Sequence, residues 1–203
     1  MKLLLATNNA HKAQEIREIL KDSYTEIVTM REAGIDLDVV EDGATFRENA
    51  LKKAEETLAA AWNRFDAVLA DDSGLCVDAL NGAPGVYSAR FSGEGHNDAA
   101  NNAKLVSLLA DVPDERRTAR FCCCIALARK GLSPIVVQGE VEGTILHEAR
   151  GENGFGYDPF FYYAPFQKSF AELSADEKNS VSHRKRALTL LREALDVENR
   201  GRL

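Results

Sequence analysis

Four apolar residues, Ala67-Val68-Leu69-Ala70, run directly into Asp71-Asp72-Ser73-Gly74. A short apolar run with no alternation reads as a strand buried on both faces, the kind found in parallel or mixed sheets covered by helices. Open α/β sheets bind their ligands at the ends of such strands. The polar quartet therefore reads as a turn that leaves two carboxylates at a crevice. The same four residues also make an ordinary Asx-turn or helix cap.

The rest of the chain repeats this alternation. Residues 3–6 predict a buried first strand, and Thr7-Asn8-Asn9 leads into a helix over about 11–20, with Ala13, Ile16, Ile19 and Leu20 at helical spacing. A second strand is expected over 25–30. Thr45 and Glu48 form a capping box ahead of a helix whose apolar stripe is Phe46, Ala50, Ala54, Leu58 and Trp62. Residues 81–95 are rich in glycine and aperiodic, so a long loop is expected there. A helix over 98–109 follows, then two long strands over 118–128 and 134–146 joined around Lys130-Gly131. A second glycine-rich loop spans 151–159, and a helix over 183–195 closes the chain with Ala187, Leu191 and Leu195 on one face. Helices alternate with strands early and a hairpin comes late, which predicts an α/β protein with a mixed sheet. No repeat or linker divides it, so residues 1–203 read as a single domain.

Charge and cysteine content narrow the function classes. The chain of 203 residues carries 25 basic and 32 acidic side chains, a net charge of −7. That sign argues against general duplex binding, which relies on a broad basic face. The first apolar run is too short for a signal peptide or a membrane helix, so a cytoplasmic protein is expected. Cys76 and the run Cys122-Cys123-Cys124 lack the spacing of a disulfide framework. Consecutive strand residues point to opposite faces, so the three do not converge on one zinc. They read as reduced core residues with no activating partner.

Four groups of residues can carry chemistry. Thr7, Asn8, Asn9, Ala10, His11 and Lys12 put backbone N–H groups, amides and a cation at a helix start, which suits a phosphate. An ordinary N-cap at Asn8 or Asn9 would look the same. Glu41, Asp42, Asp71 and Asp72 are hard oxygen donors of the kind that hold Mg²⁺ beside substrate phosphates, and a remaining carboxylate can accept a proton from water. Gly154-Phe155-Gly156-Tyr157-Asp158-Pro159 offers close backbone approach, a stacking face and an acceptor, as for an unpaired base; a structural turn with a core phenylalanine is the alternative. Lys178 and Ser182-His183-Arg184-Lys185-Arg186 place cations at a helix start, against its dipole, which an anionic or carbonyl-bearing ligand would explain; a solvated basic face is the alternative.

In collinear order, these groups resemble the inosine triphosphate pyrophosphatase family, also called XTP/dITP diphosphatases. The matching pieces are Ala6-Thr7-Asn8-Asn9 with Lys12, Thr45-Phe46 with Glu48-Asn49-Ala50, and Ala70-Asp71-Asp72-Ser73-Gly74-Leu75. They continue through Gly82-Ala83-Pro84-Gly85-Val86-Tyr87-Ser88-Ala89-Arg90 and residues 154–159 to Ser182-His183-Arg184. The resemblance implies an elongated mixed β-sheet flanked by helices, two lobes with a nucleotide cleft between them, and a cytosolic homodimer. It implies Mg²⁺-dependent hydrolysis of ITP, dITP and XTP to the monophosphate and pyrophosphate. By carry-over, Thr7 to Lys12 and Lys53 hold phosphates, Asp72 is catalytic base and metal ligand, and Ser73 touches substrate. Phe155, Gly156, Tyr157, Asp158, Lys178, His183 and Arg184 bind the nucleotide, the last two presenting donors to a 6-oxo group. The chain reads Val40-Glu41-Asp42-Gly43 where many relatives have adjacent acids, so the second metal ligand is Glu41, with Asp42 the alternative. Asp72 is expected near the ordinary carboxyl pKa. A nucleotide-binding sensor without turnover and a general triphosphatase releasing orthophosphate are the rival functions.

Overall fold

Leu3, Leu4 and Leu5 are completely buried because the strand that carries them, β1 (Lys2–Leu5), is paired in parallel on both sides. Leu4 lies opposite Val28 on one neighbour and Val68 on the other. The computed structural model describes residues 2–21, 24–61, 64–93, 95 and 97–200. After β1 come α1 (Ala10–Leu20), β2 (Glu26–Thr29), α2 (Phe46–Ala60), β3 (Ala67–Val77) and α3 (Asp98–Leu108). Then follow β4 (Thr118–Arg129), β5 (Leu132–Ile145), β6 (Phe161–Tyr163), β7 (Lys168–Ser169), α4 (Ala175–Val181) and α5 (His183–Arg200). The strands form one mixed sheet of seven in the order β2-β1-β3-β4-β5-β6-β7, parallel at β2-β1-β3 and antiparallel at β5-β6-β7.

The expected elements form, with three changes. The apolar run at 67–70 does not end in a turn: β3 continues through Asp71-Asp72-Ser73-Gly74 to Val77. Residues 81–95 are not a formless loop, since a 3₁₀ helix covers Gly85–Arg90 and buries Ser88. Ser88 Oγ accepts from Leu75 N and donates to Gly85 O, tying this segment to β3. On α2 the capping box is present, but the buried face holds Asn49 and Thr57 in addition to Phe46, Ala50 and Ala54, while Leu58 is only partly buried. Trp62, expected on that stripe, lies outside the described residues.

The chain divides into two compact units: Met1–Asp72 with Cys123–Gly139 and Arg184–Leu203, and Ser73–Cys122 with Glu140–His183. The first unit is centred on Leu3, Leu5, Ile16, Leu69, Ile125 and Leu188. The second is centred on Leu75, Leu105, Phe121, Val141, Phe161 and Phe170, with Phe121 and Phe161 ring centroids 4.6 Å apart. Among the described residues, no helix is long and apolar enough to cross a membrane.

Candidate active site

In the first unit, β1 delivers the chain to the start of α1. Thr7 Oγ1 accepts from Asn9 N at 3.1 Å, and Asn9 is the N-cap, its Oδ1 accepting from Lys12 N at 3.1 Å. Asn8, Asn9, Ala10 and His11 are exposed, and the first turn of α1 holds no acid to offset the positive end of the helix dipole. The N-cap and the anion-binding readings of this segment are thus compatible.

Lys12 reaches from that turn to β3, where Nζ lies 2.7 Å from Asp71 Oδ1. Asp71 Oδ2 accepts from Arg184 Nε at 2.9 Å and from the Cys123 thiol at 3.0 Å. Arg184 also pairs with Glu15 on α1. Burial alone would raise the Asp71 carboxyl. The Arg184 and Lys12 charges, with hydrogen bonds from Arg184 and Cys123, outweigh it and hold the group well below the usual carboxylate range. Burial likewise opposes the charge on Lys12, and Asp71 more than restores it.

Asp72 faces a different set of partners. Asn49 Nδ2 donates to Asp72 Oδ2 at 3.0 Å, and Asn49 Oδ1 accepts from Gly43 N at 2.8 Å, so one amide fixes both the carboxylate and the turn before α2. Lys53 Nζ donates to Asp71 O at 2.8 Å and lies 3.1 Å from Glu41 Oε1 and 4.0 Å from Asp72 Oδ1. Asp42 turns away to Lys52, at 2.7 Å. Burial pushes the Asp72 carboxyl up to about 6, with Glu41 adding to the rise while Lys53, Lys12 and Asn49 oppose it. The expectation of an ordinary pKa at Asp72 is therefore overturned, because β3 keeps the group inside rather than in a solvated turn.

The second unit holds the other candidates. Ser73 is partly buried in β3. Gly154 has φ +76°, and a Cβ there would lie 2.2 Å from Asp158 Oδ2. That oxygen accepts from Phe155 N at 2.9 Å and from Lys178 Nζ at 2.6 Å. Asp158 thus organises its own loop. Lys178 Nζ also sits 4.6 Å from the centre of the Phe155 ring. Asp98 accepts from Gly156 N at 2.7 Å, Asn102 Nδ2 donates to Gly156 O at 2.8 Å, and the Tyr157 hydroxyl donates to Ser88 O at 2.8 Å. His183 stacks on Phe121 with ring centroids 5.0 Å apart.

His183 and Arg184 are buried, the latter completely, so neither belongs to a solvated basic face. The structure brings Lys12, Glu41, Lys53 and Arg184 around the pair Asp71 and Asp72. It gathers Phe155, Gly156, Tyr157, Asp158 and Lys178 in a separate cluster. Asn49, Glu15 and Cys123 had no place in the sequence-derived site. Asn49 stood in a piece that carries the family resemblance and as a polar residue on an otherwise apolar helical stripe, yet was given no role, and Glu15 and Cys123 carried no signal.

Fold and site together define an α/β protein with a buried acid–lysine centre beside an unopposed helix N-terminus. The chain belongs to the Ham1 family, whose pattern matches residues 3–194. It is 50% identical over 197 residues to the dITP/XTP pyrophosphatase of Clostridium perfringens, covering 96% of this chain and 97% of that one. It is 52% identical over 200 residues to the protein of the same name from Desulforamulus reducens, covering 98% and 96%. The solved structure of the Staphylococcus aureus Ham1 protein superposes with a TM-score of 0.84 at 42% identity, covering 98% of this chain and all of that one.

Proposed function

We propose that this protein hydrolyses dITP and XTP, the nucleotides in the names of its relatives, and with them ITP, to the nucleoside monophosphate and pyrophosphate. The observation that carries this reading is Asp72, a buried carboxyl raised to about 6 and set with Glu41 around Lys53. A base works best when its pKa lies close to the working pH, and Asp72 meets that condition far better than an ordinary aspartate. Asp72 accepts the proton of the attacking water. Asn49 fixes one of its oxygens, leaving the other 4.0 Å from Lys53 Nζ.

The first unit is assigned the triphosphate, with the N-terminus of α1, Lys12 and Lys53 as its partners. Lys12 exchanges Asp71 for a phosphate oxygen when substrate arrives. The donor chemistry at Glu41 and Asp72 fits Mg²⁺, which takes one or two carboxylates and completes its shell with water and substrate phosphate. When bound by Glu41 and Asp72, Mg²⁺ supplies charge neutralisation at the phosphate oxygens. Glu41 is favoured over Asp42 because it shares Lys53 with Asp72, whereas Asp42 is held by Lys52. The base is assigned Phe155 as its stacking face, with Lys178, His183, Arg184 and the backbone of the Gly154 loop as its partners. Cytoplasmic location and a homodimer come with the family resemblance, and free cysteines suit a reducing compartment.

Hydrolysis of ITP in ¹⁸O-labelled water tests the reaction. Attack at the α-phosphorus places the label in inosine monophosphate and releases unlabelled pyrophosphate. Label in orthophosphate, with a diphosphate product, would identify a general triphosphatase instead. Saturable binding with no product would identify a sensor.

A further inference from the structure

Three of the four cysteines, Cys76, Cys122 and Cys124, lie outside everything assigned above, and two of them meet each other. Cys76 stands on β3 and Cys122 on β4, which are neighbours in the sheet, and both belong to the second unit. Their sulfurs are 3.9 Å apart, with the Cys122 thiol donating to Cys76 Sγ. Cys76 is partly exposed, whereas Cys122 is buried. We propose that Cys76 and Cys122 form a peroxide-reactive dithiol site that closes into an intramolecular disulfide.

The two residues suit the two roles such a reaction needs. A thiolate is the nucleophile, and reactive thiolates sit in partly exposed positions near donors and cations. The Cys122 hydrogen bond holds the Cys76 thiol below its ordinary range; burial opposes this, and the Arg120 charge assists it. Asp78 and Glu140 are the acids nearby that work against the thiolate, and Asp78 is itself engaged by Arg120 at 2.6 Å. Cys76 therefore attacks and Cys122 resolves. The other two thiols are placed otherwise. Cys123 is buried and donates to Asp71, and burial pushes Cys124 up to about 11.

The chemistry balances with a hydroperoxide as the oxidant. The Cys76 thiolate attacks one peroxide oxygen, the O–O bond breaks, and hydroxide leaves, giving a sulfenic acid at Cys76. Cys122 sulfur then gives up its proton and attacks Cys76 sulfur. The S–S bond forms as the S–O bond breaks, and the departing hydroxide takes a proton to become water. Two thiols lose two electrons and one hydrogen peroxide becomes two waters. Forming a bond of about 2.05 Å requires the sulfurs to approach by roughly 2 Å.

The test treats the reduced full-length protein with hydrogen peroxide, then denatures and alkylates it before intact-mass measurement and peptide mapping. The expected result is loss of two of the four alkylation sites, a mass lower by two hydrogens before alkylation, and a linked Cys76–Cys122 peptide. C122S should stop at the sulfenic acid and gain a dimedone adduct at Cys76, while C76S should keep its remaining thiols alkylatable. Four alkylated cysteines in the treated wild type would overturn the proposal. So would a bridge to Cys123 or Cys124, a disulfide between two chains, or a C122S protein with no dimedone adduct.

Discussion

Asp71 and Asp72 are adjacent, both buried, and opposite in their protonation behaviour. Asp71 faces two cations and stays ionised, whereas Asp72 faces one lysine at 4.0 Å and an acid, Glu41, in the same neighbourhood. Asp72 thereby trades stability for basicity. Its folded pKa of about 6 lies above that of an unfolded aspartate, so the folded chain prefers the protonated form. The support this gives to folding is complete below the unfolded carboxyl range and is lost as pH rises through about 6. Asp72→Asn removes the base while keeping an acceptor for Asn49. It should abolish most turnover of ITP and, without metal at neutral pH, raise unfolding stability by roughly 1–3 kcal/mol. Chemical denaturation and steady-state rates check the two halves, and a destabilised variant would show that Asp72 is not strained by its charge. The same pKa governs the acid limb of kcat/KM. Activity should fall as pH drops through about 6, and saturating Mg²⁺ should move that midpoint lower, because a bound cation favours the carboxylate. A midpoint indifferent to Mg²⁺ would place the metal away from Asp72.

Among the elements, β3 departs most from what its sequence suggests, and the reason is visible in its partners. Asp-Asp-Ser-Gly reads as a turn because unpaired aspartates do not stay in a buried strand. Here they do, since Arg184, 113 residues further along, neutralises Asp71, and Asn49 and Lys53 meet Asp72. No local pattern reveals a partner at that distance. By contrast, the capping box of α2 and the N-cap of α1 are contained within a few residues, and both were legible. The short elements β6, β7 and α4 left no periodic signal, being two to seven residues long. Gly74 is what lets β3 continue past the aspartates alongside the Gly85–Arg90 helix. A Cβ there would lie 2.3 Å from Ser88 Oγ and 2.5 Å from Gly85 O, and the second of these is backbone that cannot swing aside. Gly74→Ala should therefore cost roughly 1–3 kcal/mol, read as a fall of several degrees in Tm. Its effect on ITP turnover should appear only where the variant begins to unfold. An unchanged Tm would mean that the 3₁₀ segment yields to the strand.

At the scale of the whole molecule, ordered motifs spread over nearly the full chain made the family legible where each alone was ambiguous. That the boundary between the two compact units falls between His183 and Arg184 was not, because Ser182-His183-Arg184 looks like one cationic cluster. The structure assigns His183 to one unit, stacked on Phe121, and Arg184 to the other, held by Asp71 and Glu15. This shapes the test of base selection. Inosine and xanthosine carry an acceptor at the 6-position where adenosine carries a donor, and arginine has only donors to offer. A buried donor left unsatisfied costs about 1–3 kcal/mol, so two such groups would disfavour ATP by a factor on the order of 10² to 10⁴ if their effects add. Arg184 also steadies Asp71, so Arg184→Ala should lower turnover of every substrate. The ratio of kcat/KM for ITP over ATP cancels that shared loss and isolates recognition of the base. His183→Ala and Arg184→Ala should each shrink this ratio by roughly 5- to 150-fold, with Arg184→Ala showing the larger fall in absolute rate. A ratio that holds in both variants, however low the rates, would move discrimination to the Gly154-to-Asp158 loop. Guanine keeps the 6-oxo group, so rejection of GTP should survive both substitutions if its 2-amino group is what that loop excludes.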